Sequence, residues 1–179
     1  MAVSIEIIKQ LRELTLASVS DCKTALDDAQ GDLHKAAELI KKRGLEIAVK
    51  KASRVAKNGR IESYVHHGNK LGAMIEINCE TDFVARNEEF MKFCKDVAMQ
   101  IVATAPRYLK REEVPAEVLA DMNDKQKTDF FKVNCLLNQP CIKDQSTTIQ
   151  DSLVALVAKI GENIVVRRFV RYHLGEDER

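Results

Sequence analysis

Glycine and proline are scarce, with seven Gly and three Pro in 179 residues. So few chain breakers leave no room for a long disordered linker. Long apolar runs are also missing: none approaches the roughly 20 residues that a membrane-spanning helix needs. The opening MAVSIEIIKQLRE is charged and amphipathic and has no signal-peptide apolar region, so a cytoplasmic protein with no membrane partner is expected. Cysteine is present but unorganised. Cys22, Cys79, Cys94, Cys135 and Cys141 are odd in number and irregular in spacing, with no CxxC or HxxxH. That excludes a disulfide scaffold and a zinc-binding motif. A large charge of one sign is lacking too. The formal net charge is +1, which argues against a globally basic nucleic-acid binder.

Catalytic signatures are equally absent. There is no P-loop, no GxGxxG and no GxSxG. His66 and His67 are neighbours on an expected strand, so they face opposite ways and cannot chelate one metal together. Glu76 and Glu80 share a strand face but lie roughly 13 Å apart, too far for a general acid and base pair. No catalytic residue, metal or cofactor is expected, and the chain does not read as an enzyme.

What is present is an ordinary ordered composition, 45% hydrophobic and 31% charged, in a length that suits one medium domain or two small ones. Charge is unevenly placed. Residues 41–60 hold eight basic residues against Glu46 alone, a local +7, while the remainder sums to −6. Such a segment is either a solvated connector or a phosphate-binding patch. It holds no aromatic residue for base stacking.

Before it, three short amphipathic helices are expected. Ile5, Ile8 and Leu11 mark one apolar stripe. Cys22, Ala25, Leu26 and Ala29 mark a second, and Leu33, Ala36, Ala37 and Ile40 a third. Ser18 and Asp21 form a capping pattern, Gly31 ends the second helix, Asp32 caps the third and Gly44 ends it. So small a bundle suits a docking module better than an active site.

Beyond it, Ile61–His67 alternates, Gly68-Asn69 marks a turn, and Leu71, Ala73, Ile75, Ile77 and Cys79 share the buried face of a second strand. Met74, Glu76, Asn78 and Glu80 fall on the opposite, solvated face. Phe90, Phe93, Cys94, Val97, Ala98 and Ile101 follow at helical spacing, up to a stop at Ala105-Pro106. A helix over Val114–Phe131, a loop over Asn134–Ser146, a helix from Ile149 to Gly161 and a strand over Ile164–Leu174 complete the chain. The order gives an α+β class, with the last strand antiparallel to the hairpin.

The junction Thr81-Asp82-Phe83-Val84-Ala85-Arg86-Asn87 joins strand to helix. Asp82 can cap a first short turn and Asn87 the long helix after it. Phe83 and Val84 then lie in a turn too short for a buried stripe. Either they pack back on the core, the commoner fate of Phe, or they face a partner.

Several motifs, in one order, resemble the elongation factor Ts family, the guanine-nucleotide exchange factors of bacterial-type translation. They are Leu11-Arg12-Glu13, Asp21-Cys22-Lys23-Thr24-Ala25-Leu26, the run Ile77–Phe90, Asn138-Gln139-Pro140, Gly161-Glu162-Asn163-Ile164 and Arg167-Arg168-Phe169. The resemblance covers nearly the whole chain. It implies a UBA-like three-helix domain at 1–45, a basic linker at 46–58 and an α+β core of dimerisation type at 59–179, with helices packed on a three-stranded antiparallel sheet. The implied partner is elongation factor Tu, GDP-bound and nucleotide-free, with no direct nucleic-acid contact. The family's partner-binding TDFV motif falls on Thr81, Asp82, Phe83 and Val84, and its N-terminal contacts fall on Arg12 and Val19. Where the family often has Gly-Ala-Gly-Met-Met, this chain has Leu16-Ala17-Ser18-Val19-Ser20, so only Val19 of that stretch carries over. With one copy of the core unit the chain resembles the family's short form, which implies a homodimer as a way to rebuild a double core.

Overall fold

The structure is a computed structural model that describes residues 3–15 and 17–176; Leu16 of the N-terminal contact stretch lies outside the described residues. The chain divides into two compact units.

The first unit contains α1 (Ile5–Thr15), α2 (Val19–Asp28), α3 (Leu33–Lys51) and the part of α8 (Ile149–Ile160) from Leu153 onward, closing at Asn163. The three apolar stripes meet in one core except at Ile5, which is exposed in the first turn of α1, while Ile7 packs in its stead. Leu11, Cys22, Ala25, Leu26 and Ala36 are fully buried, and Ile7, Ile8, Leu33 and Ile40 pack around them. The caps act as the residue types require. Ser18 accepts from the Asp21 amide at 3.1 Å, and Asp32 accepts from the Lys35 amide at 3.1 Å. The left-handed residue that ends α2 is Gln30, at φ +55°, one position before the expected Gly31; it carries the Gly31 amide back to the Leu26 carbonyl at 2.8 Å.

Gly44 does not end the third helix. α3 continues to Lys51, so the expected connector is helical over its first residues. The glycine is buried against α8, with room for a methyl group and little more. A Cβ there would stand 3.4 Å from Cγ1 of Val154 and 3.7 Å from Cβ of Ala158 on α8. Asn163 then satisfies the end of α3, donating to the Arg54 carbonyl at 2.7 Å and the Ala52 carbonyl at 3.4 Å. Gly44→Ala should therefore be tolerated and gain up to about 1 kcal/mol of helix propensity. Gly44→Leu should overpack the contact and cost about 1–3 kcal/mol. Thermal denaturation of the two variants measures both; equal Tm values would show that nothing is packed against this glycine.

The second unit is built on β1 (Asn58–Val65), β2 (Leu71–Cys79) and β3 (Val165–His173), an antiparallel sheet in the order β1-β2-β3. The inner face of β2 is Ala73, Ile75, Ile77 and Cys79, all buried. Against it and β1 lies α5 (Glu88–Thr104), which buries Phe90, Phe93, Cys94, Val97, Ala98 and Ile101. The α+β class and the three-stranded antiparallel sheet agree with expectation.

The segment expected as one helix over Val114–Phe131 is two: α6 (Ala116–Leu119) and α7 (Asp124–Asn134). The break has a local cause. Asn123 and Gln126 form a capping box, each side chain accepting from the other's backbone amide at 2.9 Å, and so start a new helix. The expected loop after it is tied down. Gln100 on α5 is buried; it donates to Gln139 Oε1 and the Pro140 carbonyl at 3.1 Å each and accepts from the Ile142 amide at 2.9 Å. Thr104 donates to the same Gln139 oxygen at 2.7 Å, and Gln139 donates to the Val133 carbonyl at 2.7 Å. A buried polar network with every member paired fixes one loop path, which is what Gln139 and Pro140 do here.

Candidate functional site

The strand-to-helix junction is held from both sides. β2 ends at the fully buried Cys79, whose thiol donates to the Thr81 carbonyl at 3.1 Å. Asn87 opens α5 by accepting from the Glu89 amide at 2.9 Å and the Phe90 amide at 3.2 Å. Between them lies α4 (Asp82–Ala85), one turn with no buried residue. Its cap is Thr81, not Asp82. Thr81 is extended and its hydroxyl accepts from the Val84 amide at 3.4 Å. Asp82 is the first helical residue, and its Oδ2 accepts from Nη2 of Arg86 at 3.0 Å. Placing an acid in the first turn suits the helix dipole.

Phe83 is 82% exposed, so of the two fates open to it, core packing does not occur. Thr81 and Val84 are half-buried and Asp82 is exposed. A rigid strand and a capped long helix thus present one aromatic ring to solvent.

Arg12 and Val19 belong to the other unit. Arg12 is exposed near the end of α1 and Val19, 54% exposed, opens α2. Leu14 is exposed beside them in sequence, a residue that periodicity alone did not single out.

A second surface was not legible as such. The outer sheet face, expected to be solvated, is exposed as expected but largely apolar. Ser63, Met74 and Val170 form one cross-strand row, Ile61, Glu76 and Arg168 the next, and Val65, Gly72 and Tyr172 a third. Ile61, Val65, Met74, Val170 and Tyr172 are all exposed. In the row beside Met74, Arg168 Nε stands 2.7 Å from Glu76 Oε2, and this hydrogen bond lowers the Glu76 pKa below the usual carboxylate value. The signal lay in β3, where Val170 and Tyr172 alternate with Phe169 and Arg171. Only cross-strand register shows which set joins Met74.

Three of the five thiols are poor nucleophiles. Burial pushes Cys94 up to about 12 and raises Cys22 and Cys135. Among the described residues no group of three His, Cys, Asp or Glu side chains is placed to hold a metal ion. No helix among them is long and apolar enough to cross a membrane.

Comparison with known proteins adds an independent line. The profile of the family described as Elongation factor TS matches residues 2–132. The chain is 45% identical to elongation factor Ts of Carboxydothermus hydrogenoformans over 97% of this chain and 90% of that protein. It is 44% identical to elongation factor Ts of Thermodesulfovibrio yellowstonii over 99% of both. It is 43% identical to that of Caldanaerobacter subterraneus subsp. tengcongensis over 97% of this chain and 98% of that protein.

Proposed function

The chain belongs to the elongation factor Ts family, and on that footing we propose that it binds elongation factor Tu carrying GDP and drives the GDP off, so that GTP can enter during translation elongation. The observation that carries the mechanism is Phe83, 82% exposed on a capped turn between a buried strand and a long helix. GDP and magnesium hold a GTPase's switch segments and phosphate loop in one arrangement. A partner that prefers the nucleotide-free arrangement must weaken GDP by the same factor by which GDP weakens it, because coupling is reciprocal.

The steps follow from the exposed groups. Arg12 and Val19 dock the N-terminal helices on the GTPase domain and supply binding free energy. Phe83 inserts between partner elements near the magnesium and phosphate site, with Thr81 and Val84 packed at its base. Asp82 accepts a hydrogen bond at the partner surface. Magnesium coordination fails, GDP leaves, and GTP binding expels the factor. No bond of the nucleotide is broken, so the protein acts as an exchange factor rather than an enzyme of bond chemistry. It works in the cytoplasm, without a cofactor, nucleic acid or membrane.

We propose further that two copies pair through the outer sheet face. That face is largely apolar and carries one acid and one base side by side, Glu76 and Arg168. A two-fold axis through it sets each charge near its opposite in the other copy, so the surface is complementary to itself.

The deciding experiment is stopped-flow release of fluorescent GDP from elongation factor Tu. Substoichiometric chain should accelerate release over many turnovers. Unchanged release at saturating chain would reject the exchange function.

A further inference from the structure

The turn that presents Phe83 is intrinsically weak. A single helical turn meets the full nucleation cost with no following turns to repay it. α4 is such a turn, and its own bonds are long. The Ala85 amide reaches the Thr81 carbonyl at 3.3 Å, the Arg86 amide the Phe83 carbonyl at 3.2 Å, and the Val84 amide the Thr81 hydroxyl at 3.4 Å. The Cys79 thiol secures only the entry, at Thr81. A side-chain tie that spans the whole turn is Arg86 Nη2 to Asp82 Oδ2 at 3.0 Å. Acid before base at i and i+4 is the favourable order on a helix.

We propose that Arg86 is a positioning residue for nucleotide exchange. Its guanidinium closes the turn from the C-terminal side, so Phe83 stands in docking geometry before the partner arrives. It also engages one oxygen of Asp82 and leaves Oδ1 to accept from the partner. This role rests on the Phe83 wedge proposed above. When only a fraction of the chain holds the competent turn, apparent affinity falls by that fraction. Arg86 acts on that fraction without touching nucleotide.

The pair is exposed, with side chains 78% and 56% accessible for Arg86 and Asp82. Its effect is therefore modest and sensitive to salt, about two- to five-fold at low ionic strength. The test measures kcat/KM for fluorescent GDP release from elongation factor Tu at about 0.05 M and about 0.5 M salt. Wild type is compared with Arg86→Ala, Arg86→Lys, Asp82→Asn and the Arg86→Ala/Asp82→Asn double variant, and the Tm of each is recorded. Arg86→Ala should lose about two- to five-fold at low salt and less at high salt, with Tm unchanged. Arg86→Lys should recover most of the loss, and the double variant should be no worse than Asp82→Asn. Wild-type activity in Arg86→Ala, a loss that persists in full on the Asp82→Asn background, or a loss that tracks a fall in Tm would each overturn the proposal. A normal Arg86→Ala beside an inactive Phe83→Ala removes only the role of Arg86. An active Phe83→Ala removes the wedge beneath it.

Discussion

Phe83→Ala should leave the protein folded and remove most of its stimulation of GDP release. The ring is 82% exposed, so its loss opens no cavity and uncovers little core. The turn beneath is defined by Thr81, Arg86 and Asn87, none of which needs the ring. Stability should change by less than about 0.5 kcal/mol, as for other surface positions. Function should change far more. An aromatic anchor at the centre of an interface is commonly a hot spot, and truncation costs about 2 kcal/mol or more, roughly a thirty-fold fall in kcat/KM. Phe83→Leu should fall between, because it keeps apolar bulk without the planar ring. Stopped-flow GDP release and a thermal melt on the same preparations separate the two effects. Full activity in the Ala variant would eliminate the wedge, and a collapsed melt would mean that the ring supports the fold.

The second large effect concerns self-association. Met74→Glu with Val170→Glu should convert a dimer to a monomer with little change in monomer fold. The two residues face each other across β2 and β3 in the middle row of the outer sheet face, and both are exposed in the single chain. New carboxylates there stay hydrated in the monomer. In a dimer they would be buried without partners, beside an existing Glu76, and burial of an uncompensated charge costs about 3–5 kcal/mol. That is more than a hundred-fold in dissociation constant. Sedimentation velocity across a concentration series should show wild-type dimer and variant monomer. A wild-type chain that stays monomeric throughout, or a variant that pairs as well as wild type, would reject the sheet face as the contact.

The helices and strands were largely readable because their signals are local. The stripes through Leu11, Cys22-Ala25-Leu26 and Phe90-Phe93-Cys94-Val97 are buried where periodicity puts them. Local signals also failed in recognisable ways. Gly44 looked like a terminator because glycine is permissive, yet its helix runs on to Lys51 and buries this position against α8. Asn123 looked like a helical residue because the surrounding stretch is polar and mixed, yet its side chain competes for the backbone and starts a helix. At the junction, Thr81 rather than Asp82 took the cap, since both types can accept and extended backbone at Thr81 settled which did.

The amino-acid order alone sufficed for the α+β class, the hairpin, the long helix and the motifs that place the chain in its family, because hydrophobic period and turn chemistry act over a few residues. It could not settle where Phe83 points. The ring's exposure depends on how a buried strand end and a capped helix aim one turn, and that geometry arises only when β2 and α5 pack. Nor could it reveal the apolar outer face. Ile61, Met74 and Val170 are more than a hundred positions apart at the extremes, and only cross-strand register brings them side by side.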